Sequence, residues 1–145
     1  MATERRAEVR WEGSLLEGSG TILSTTTGAL GEQAVSWAAR STDETGGVTS
    51  PEELIAAAHA ACFAMALSHA LAQDGHAPEE LRTSATVTFQ PGEGITRIAL
   101  TVEGRVPGLD EEGFRSAAET AKENCPVSQA LAGVPEIDLD AGLAG

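Results

Sequence analysis

Apolar and polar positions alternate with period two in three short stretches at the start of the chain. These are Ala7-Glu8-Val9-Arg10-Trp11, the β-branched run over residues 20–27, and Ala34-Val35-Ser36-Trp37-Ala38. Alternation turns one strand face inward and the other outward, so each stretch predicts a strand. The glycine-bearing connections between them predict an antiparallel meander, with Arg40 delivered at the end of its third strand. A polar loop, Asp43-Glu44-Thr45-Gly46-Gly47-Val48-Thr49, follows. The period then changes. Ser50 to Leu67 reads SPEELIAAAHAACFAMAL, with Ser50 suited to the N-cap, Pro51 to the first helical position and Glu53 completing Ser-x-x-Glu. The pattern predicts one helix from Ser50 to about Gln73, stopping at Asp74-Gly75 and roughly 35 Å long.

Alternation returns over residues 83–90 and 95–106, predicting a strand pair joined by Pro91-Gly92-Glu93-Gly94. Asp110 then predicts a capped helix to about residue 123, with Phe114, Ala117, Ala118 and Ala121 on one stripe. Pro126 predicts the start of a short helix to Leu131, and residues 136–139 a last strand. The fold class is α+β. With 145 residues and no linker or internal repeat, the chain reads as one domain, residues 1–145.

Composition changes the picture in three ways. Aromatics are 3% of residues and tyrosine is absent, so Ala, Val, Leu and Ile must fill the core, and so light a core predicts a dimer. A net charge of −13 with a single lysine, Lys122, excludes binding to a phosphate backbone and disfavours anionic membranes. The stretch over residues 55–72 is apolar mainly through alanine and contains His59, Ser68 and His69, which predicts a buried helix and not a membrane span. The opening MATERRAEVRWEG lacks the apolar segment of a secretory signal, so a cytoplasmic setting is expected.

In that compartment a thiol pair points to transient, catalytic disulfide chemistry more than to a structural cross-link. The two cysteines both occupy special helical positions. Cys62 sits inside the long helix, where apolar surroundings would raise its pKa unless a cation held the thiolate. Arg40, His59 and His69 are the candidate cations, and Arg10 is a further arginine within the first strand. Cys125, 63 residues later, falls at the N-cap of the Pro126 helix, where the helix terminus favours a negative sulfur. Physics alone therefore makes Cys125 the more acidic thiol. Glu52, about 15 Å before Cys62 along the helix, cannot touch that sulfur within its own helix. His59, Cys62 and Cys125 could also be read as zinc ligands, or the thiols as passive members of a ligand-binding dimer. A Cys/His hydrolase lacks any mark of an oxyanion hole.

The paired segments SPEELIAAAHAACFAMAL and Asn124-Cys125-Pro126-Val127-Ser128-Gln129 resemble the OsmC/Ohr family of osmotically inducible and organic hydroperoxide resistance proteins. Arg10-Trp11-Glu12-Gly13, Trp37-Ala38-Ala39-Arg40 and Val106-Pro107-Gly108-Leu109-Asp110 are closer to the OsmC branch. The resemblance covers roughly residues 6–140. It implies an OsmC-like fold, antiparallel strands around a long central helix in an intertwined homodimer, with sites at the subunit interface. It implies a cysteine-based peroxidase acting on organic hydroperoxides, with Cys62 as the peroxidatic and Cys125 as the resolving cysteine. Arg40 matches the active-site arginine and Glu52 the glutamate that pairs with it. The Ohr branch draws its arginine from an earlier segment, which makes Arg10 the other candidate. No metal or organic cofactor is implied, and an external dithiol such as a dihydrolipoyl protein would be the reductant.

Overall fold

The computed structural model describes residues 2–144, which form two compact units, one up to Leu54 and one from Ile55 onward. In the first unit, β1 (Ala7–Glu12), β2 (Ser19–Thr25) and β3 (Ala34–Val35) form an antiparallel sheet in that order. Trp11 pairs with Gly20 across β1 and β2, and a Cβ on Gly20 would come within 2.7 Å of the Trp11 ring and 2.8 Å of Val35. Only glycine lets the indole lie across β2.

The third strand is shorter than its alternating sequence predicts. It stops at Val35, because the Ser36 hydroxyl accepts from the Ala39 amide at 3.1 Å and caps helix α1 (Trp37–Ser41). A serine before a possible helix turn can cap or alternate, and capping wins here. Arg40 therefore stands in the last turn of a short helix and not at a strand end, a position that suits a cation.

Helix α2 spans Pro51–Gln73. The Ser50 hydroxyl accepts from the Glu53 amide at 3.2 Å, while the Glu53 carboxylate takes the Thr49 hydroxyl. The Ser50 cap thus forms, and its glutamate turns one residue further back. The helix ends where Gly75 takes φ +84° and the His76 amide reaches back to the Leu71 carbonyl at 2.8 Å.

In the second unit, β4 (Glu80–Gln90) and β5 (Gly94–Arg105) form the hairpin, and β6 (Glu136–Leu143) lies on the other side of β5. The pairing of β5 with β6 is parallel, not antiparallel. Between them the chain crosses back through α3 (Glu111–Asn124) and α4 (Pro126–Ala130), the helical connection that parallel neighbours require. Pairing with β5 also carries β6 four residues past its predicted end. The Asp110 carboxylate accepts from the Gly113 amide at 2.8 Å and caps α3.

The core follows from four-residue spacing. Phe63, Leu67 and Leu71 of α2 join Ile98, Leu100 and Val102 of β5, Phe114, Ala118 and Ala121 of α3, and the fully buried Cys125. The other side of α2 is different: Ala57, Ala58, Ala61, Met65 and Ala72 are exposed. The helix expected to be buried is therefore covered on one face only. By length and composition alone it could cross a membrane. Its inner face is built instead into the sheet-and-helix core of its own chain.

Gly104 tests that core. A Cβ placed on it would lie 2.6 Å from Phe114 ring carbons. Gly104→Ala should lower stability by about 1–3 kcal/mol in urea unfolding through overpacking. An unchanged unfolding midpoint would contradict the close stacking of Phe114 over β5.

Candidate active site

The junction of α3 and α4 positions one sulfur. Cys125 ends α3, its amide donating to the Ala121 carbonyl at 2.8 Å, and it also precedes the first residue of α4. Pro126 lacks an N–H to continue α3, so the chain turns there and leaves Cys125 fully buried. Cys62 is half-buried in the middle of α2, one residue before the core residue Phe63. Both cysteines are free, and they stand near enough for each to shift the acidity of the other.

The two sulfurs share surroundings and differ in acidity. Burial pushes the Cys62 thiol up, and the neighbouring Cys125 adds to this, while the Val127 amide opposes it. Burial also works against an anion on Cys125. There, however, the Ser128 amide, the Cys62 thiol, the Ser128 hydroxyl and the Val127 amide together bring the thiol below its usual value. Sulfur is a weak acceptor and makes no formal capping hydrogen bond. The open amides at the start of α4 nevertheless favour charge on it. Within the second unit, Cys125 is the more acidic thiol.

Ser128 connects this pair to a third group. His59 of α2 is completely buried, and its Nε2 lies 2.7 Å from Ser128 Oγ. Its Nδ1 is buried with no hydrogen-bond partner. Burial lowers the His59 pKa, which keeps the ring neutral. His59 is therefore not a cation for Cys62. His69 is exposed, beside a shallow groove that includes Met65, Pro78 and Glu80. Among the described residues no three His, Cys, Asp or Glu side chains gather to hold a metal, so His59, Cys62 and Cys125 offer no zinc ligand set.

Arg40 and Glu52 meet in the first unit. Arg40 Nε donates to both Glu52 oxygens at 3.1 and 3.0 Å, and Nη2 lies 3.0 Å from Oε2. Glu52 is almost fully buried and Arg40 about one-third exposed. A carboxylate held at two points fixes the plane of the guanidinium. Beside the pair, a cleft of about 370 Å³ is walled by Trp11, Leu15, Val35, Trp37 and Pro51, with Arg40 on its side. Arg10 on β1 is exposed and pairs with Glu12 at 3.2 Å. The structure thus joins Cys62 with Cys125 in one unit and Arg40 with Glu52 in the other.

Sequence reasoning assigned no role to Ser128 and no cleft to the two tryptophans. The signal for Ser128 was its place three residues after Cys125, where a helix-start side chain turns back toward the cap.

Comparison with known proteins gives consistent matches. The family model described as OsmC-like protein matches residues 44–140. The peroxiredoxin OsmC of Escherichia coli (strain K12) is 43% identical over 143 residues, covering 97% of this chain and 96% of that protein. The organic hydroperoxide resistance protein OhrB of Bacillus subtilis (strain 168) is 32% identical over 93 residues, covering 63% of this chain and 68% of that one. Its crystal structure superposes with a TM-score of 0.61 at 26% identity, covering 96% and 98% of the two chains. An OsmC-like protein from Mycoplasma pneumoniae shares the fold at a TM-score of 0.72 and 17% identity, each chain covered completely.

The acidity of Cys125 can be measured alone. In a Cys62→Ser protein the remaining thiol should titrate below an ordinary cysteine, read as thiolate ultraviolet absorbance against pH. A value at or above the ordinary one would mean that the amides of α4 do not stabilise this sulfur.

Proposed function

Because the chain belongs to the OsmC family and lies closer to its OsmC branch than to Ohr, we propose that it is a thiol-dependent peroxidase. It reduces organic hydroperoxides, and hydrogen peroxide more slowly, to alcohols or water. The observation that carries this reading is the closeness of two free thiols in a buried site, each shifting the acidity of the other and one of them lowered in pKa. A passive pair has no need of such acidity.

Cys62 is the attacking sulfur, since it is the less buried of the two. An ordinary thiol with a pKa of about 8.5 is only a few per cent ionised at pH 7, and burial makes Cys62 worse still. A cation must therefore hold the thiolate, and Arg40, oriented by Glu52, supplies it. The thiolate attacks the terminal oxygen of the hydroperoxide and the O–O bond breaks. The guanidinium stabilises the departing alkoxide, which takes a proton and leaves as the alcohol. Cys62 is left as sulfenic acid. Cys125 displaces water from it to form an intramolecular disulfide, which an external dithiol, such as a dihydrolipoyl protein, reduces by exchange. Sulfur carries the electrons, so no metal or organic cofactor takes part. The apolar cleft beside Arg40 supports the preference for organic substrates, each buried methylene contributing about 0.8 kcal/mol.

The working unit is a homodimer in the cytoplasm. Its support is the exposed alanine face of α2, with Met65 71% exposed, which a second copy would cover. Nucleic acid and membrane are not partners of so acidic a chain.

One set of variants tests the chemistry. Cumene hydroperoxide should consume both thiols of each chain and leave an internal disulfide. Cys62→Ser should abolish turnover, and Cys125→Ser should stop after one turnover with sulfenic acid trapped. The reverse pattern would exchange the two roles, and two thiols left titratable would end the peroxidase reading. In Cys125→Ser protein the Cys62 thiol should titrate below an ordinary cysteine. Adding Arg40→Ala should carry it above, because burial then acts unopposed by a cation. An identical titration with and without Arg40 would remove this residue from the chemistry. For the assembly, sedimentation should give a dimer that Met65→Glu drives toward monomer, and an unaffected dimer would place the interface elsewhere.

A further inference from the structure

Helix α4 has five residues, too few for a helix to hold itself in place, yet one of the two thiols stands at its start. What seats α4 against α2 therefore decides where the Cys125 sulfur lies. The near end is set by α3, through the Cys125 amide on the Ala121 carbonyl. Further along, Ser128 is buried, and its hydroxyl lies 2.7 Å from Nε2 of the fully buried His59 on α2. The spacing on the two elements matches. His59 and Cys62 are three residues apart on α2, and Cys125 and Ser128 are three residues apart at α4. The two segments thus face each other at two rungs, about 4.5 Å apart along α2. One rung is a hydrogen bond and the other is the thiol pair, packed into the same core.

We propose that the His59–Ser128 hydrogen bond is a register clamp, holding α4 against α2 in the alignment that lets Cys62 and Cys125 close a disulfide. It adds two positioning residues to the peroxidase reading above, on which its part in turnover rests. A disulfide is free of strain only over a narrow window, with its Cβ atoms about 3.5–4.5 Å apart. A slide of α4 by a small part of a helical turn leaves that window. While Ser128 is held, closure starts from the alignment it needs. The Cys125 sulfur bonds to the Cys62 sulfur, the Cys62 S–O bond breaks, and hydroxide departs as water with the Cys125 thiol proton. Cys125 is oxidised and the sulfenic sulfur is reduced. With the clamp broken the sulfenic acid waits, and a second peroxide carries it on to sulfinic acid.

Two observations favour a clamp over ordinary packing. Both partners are buried, so solvent does not compete for the bond. His59 is also an unfavourable way to fill a core, because its Nδ1 is buried with no protein partner. An apolar side chain would occupy the same place without enclosing that nitrogen. Buried polar groups that fix an alignment are retained in spite of such a penalty.

The experiment measures the disulfide without peroxide. Wild-type, Ser128→Ala, Ser128→Thr, His59→Leu and His59→Gln proteins, and the Ser128→Ala/His59→Leu double variant, are equilibrated with mixtures of reduced and oxidised dithiothreitol. The disulfide fraction is read by mass after alkylation. Ser128→Ala and His59→Leu should each lower the equilibrium constant for disulfide formation by about tenfold, a rise of about 30 mV in reduction potential. The double variant should lose no more than either single one, since the same bond is gone in all three. Ser128→Thr keeps the hydroxyl and His59→Gln keeps a nitrogen near the place of Nε2, so both should stay close to wild type. With cumene hydroperoxide, Ser128→Ala and His59→Leu should form Cys62 sulfenic acid and then accumulate sulfinic acid beyond the wild-type level. A bond that only held the fold together would weaken the dithiol and disulfide forms alike and leave their ratio unchanged.

An unchanged equilibrium constant in Ser128→Ala and His59→Leu would overturn the clamp, and so would losses that add in the double variant. Should His59→Leu fail to fold, Ser128→Ala against Ser128→Thr decides alone, equal values overturning the clamp. A wild-type protein that forms no sulfenic acid with peroxide would overturn the peroxidase reading itself. That result is distinct from failure of the clamp, which is read with dithiothreitol.

Discussion

The break between α3 and α4 is the constraint on which the thiol site depends. Asn124 is the last residue of one helix and Pro126 the first of the next, which leaves Cys125 to serve as the end of one and the start of the other. Its amide completes α3, so its backbone is fixed by the core helix. Its sulfur faces the unsatisfied amides of α4. One residue thus ties an immobile position to an anion-favouring environment. The four-residue rhythm of α2 brings His59, Phe63, Leu67 and Leu71 onto the inner face, and Cys62 follows at its edge. Core packing on the two sides holds the sulfurs near one another. Neither sulfur needs a dedicated loop.

Much of this arrangement was legible in the chain itself. Helix α2 was announced by Ser50, Pro51 and Gly75, each with its own backbone role, and its observed limits agree. Asp110 and Pro126 did the same for α3 and α4. What the sequence concealed came from ambiguity between local and distant partners. Ala34 to Ala38 alternates well enough for a strand, yet Ser36 can also cap, and the cap places Arg40 in a helix. The last strand lengthens because β5 supplies hydrogen-bond partners along its whole edge, which no local pattern announces.

The site was legible in its residue types and less so in its connections. Cys62, Cys125, Arg40 and Glu52 could each be named, and the structure pairs them two by two. The sequence offers His59 as a candidate cation inside a helix expected to be buried, but an alanine-rich segment does not show which of its histidines is fully enclosed. Full enclosure against Ser128 makes His59 a neutral hydrogen-bond partner instead. Ser128 was present in the Cys-Pro-Val-Ser motif, but its contact with a residue 69 positions earlier is a product of tertiary packing.

Two means of holding negative charge are divided between the two sulfurs. Cys125 is served by amides and a hydroxyl, dipoles fixed by the fold and present at every stage. Cys62 gains only the Val127 amide and is opposed by burial and by its neighbour. Dipoles alone therefore leave the charge on Cys125, whereas the proposed peroxidase cycle requires it on Cys62. Only a full positive charge can reverse that order, since a guanidinium exceeds an amide dipole in strength and remains charged at any working pH. In the proposed peroxidase cycle this division gives each sulfur its turn. The cation collects charge on Cys62 for attack on peroxide, and once Cys62 is a neutral sulfenic acid the fixed dipoles favour ionisation of Cys125.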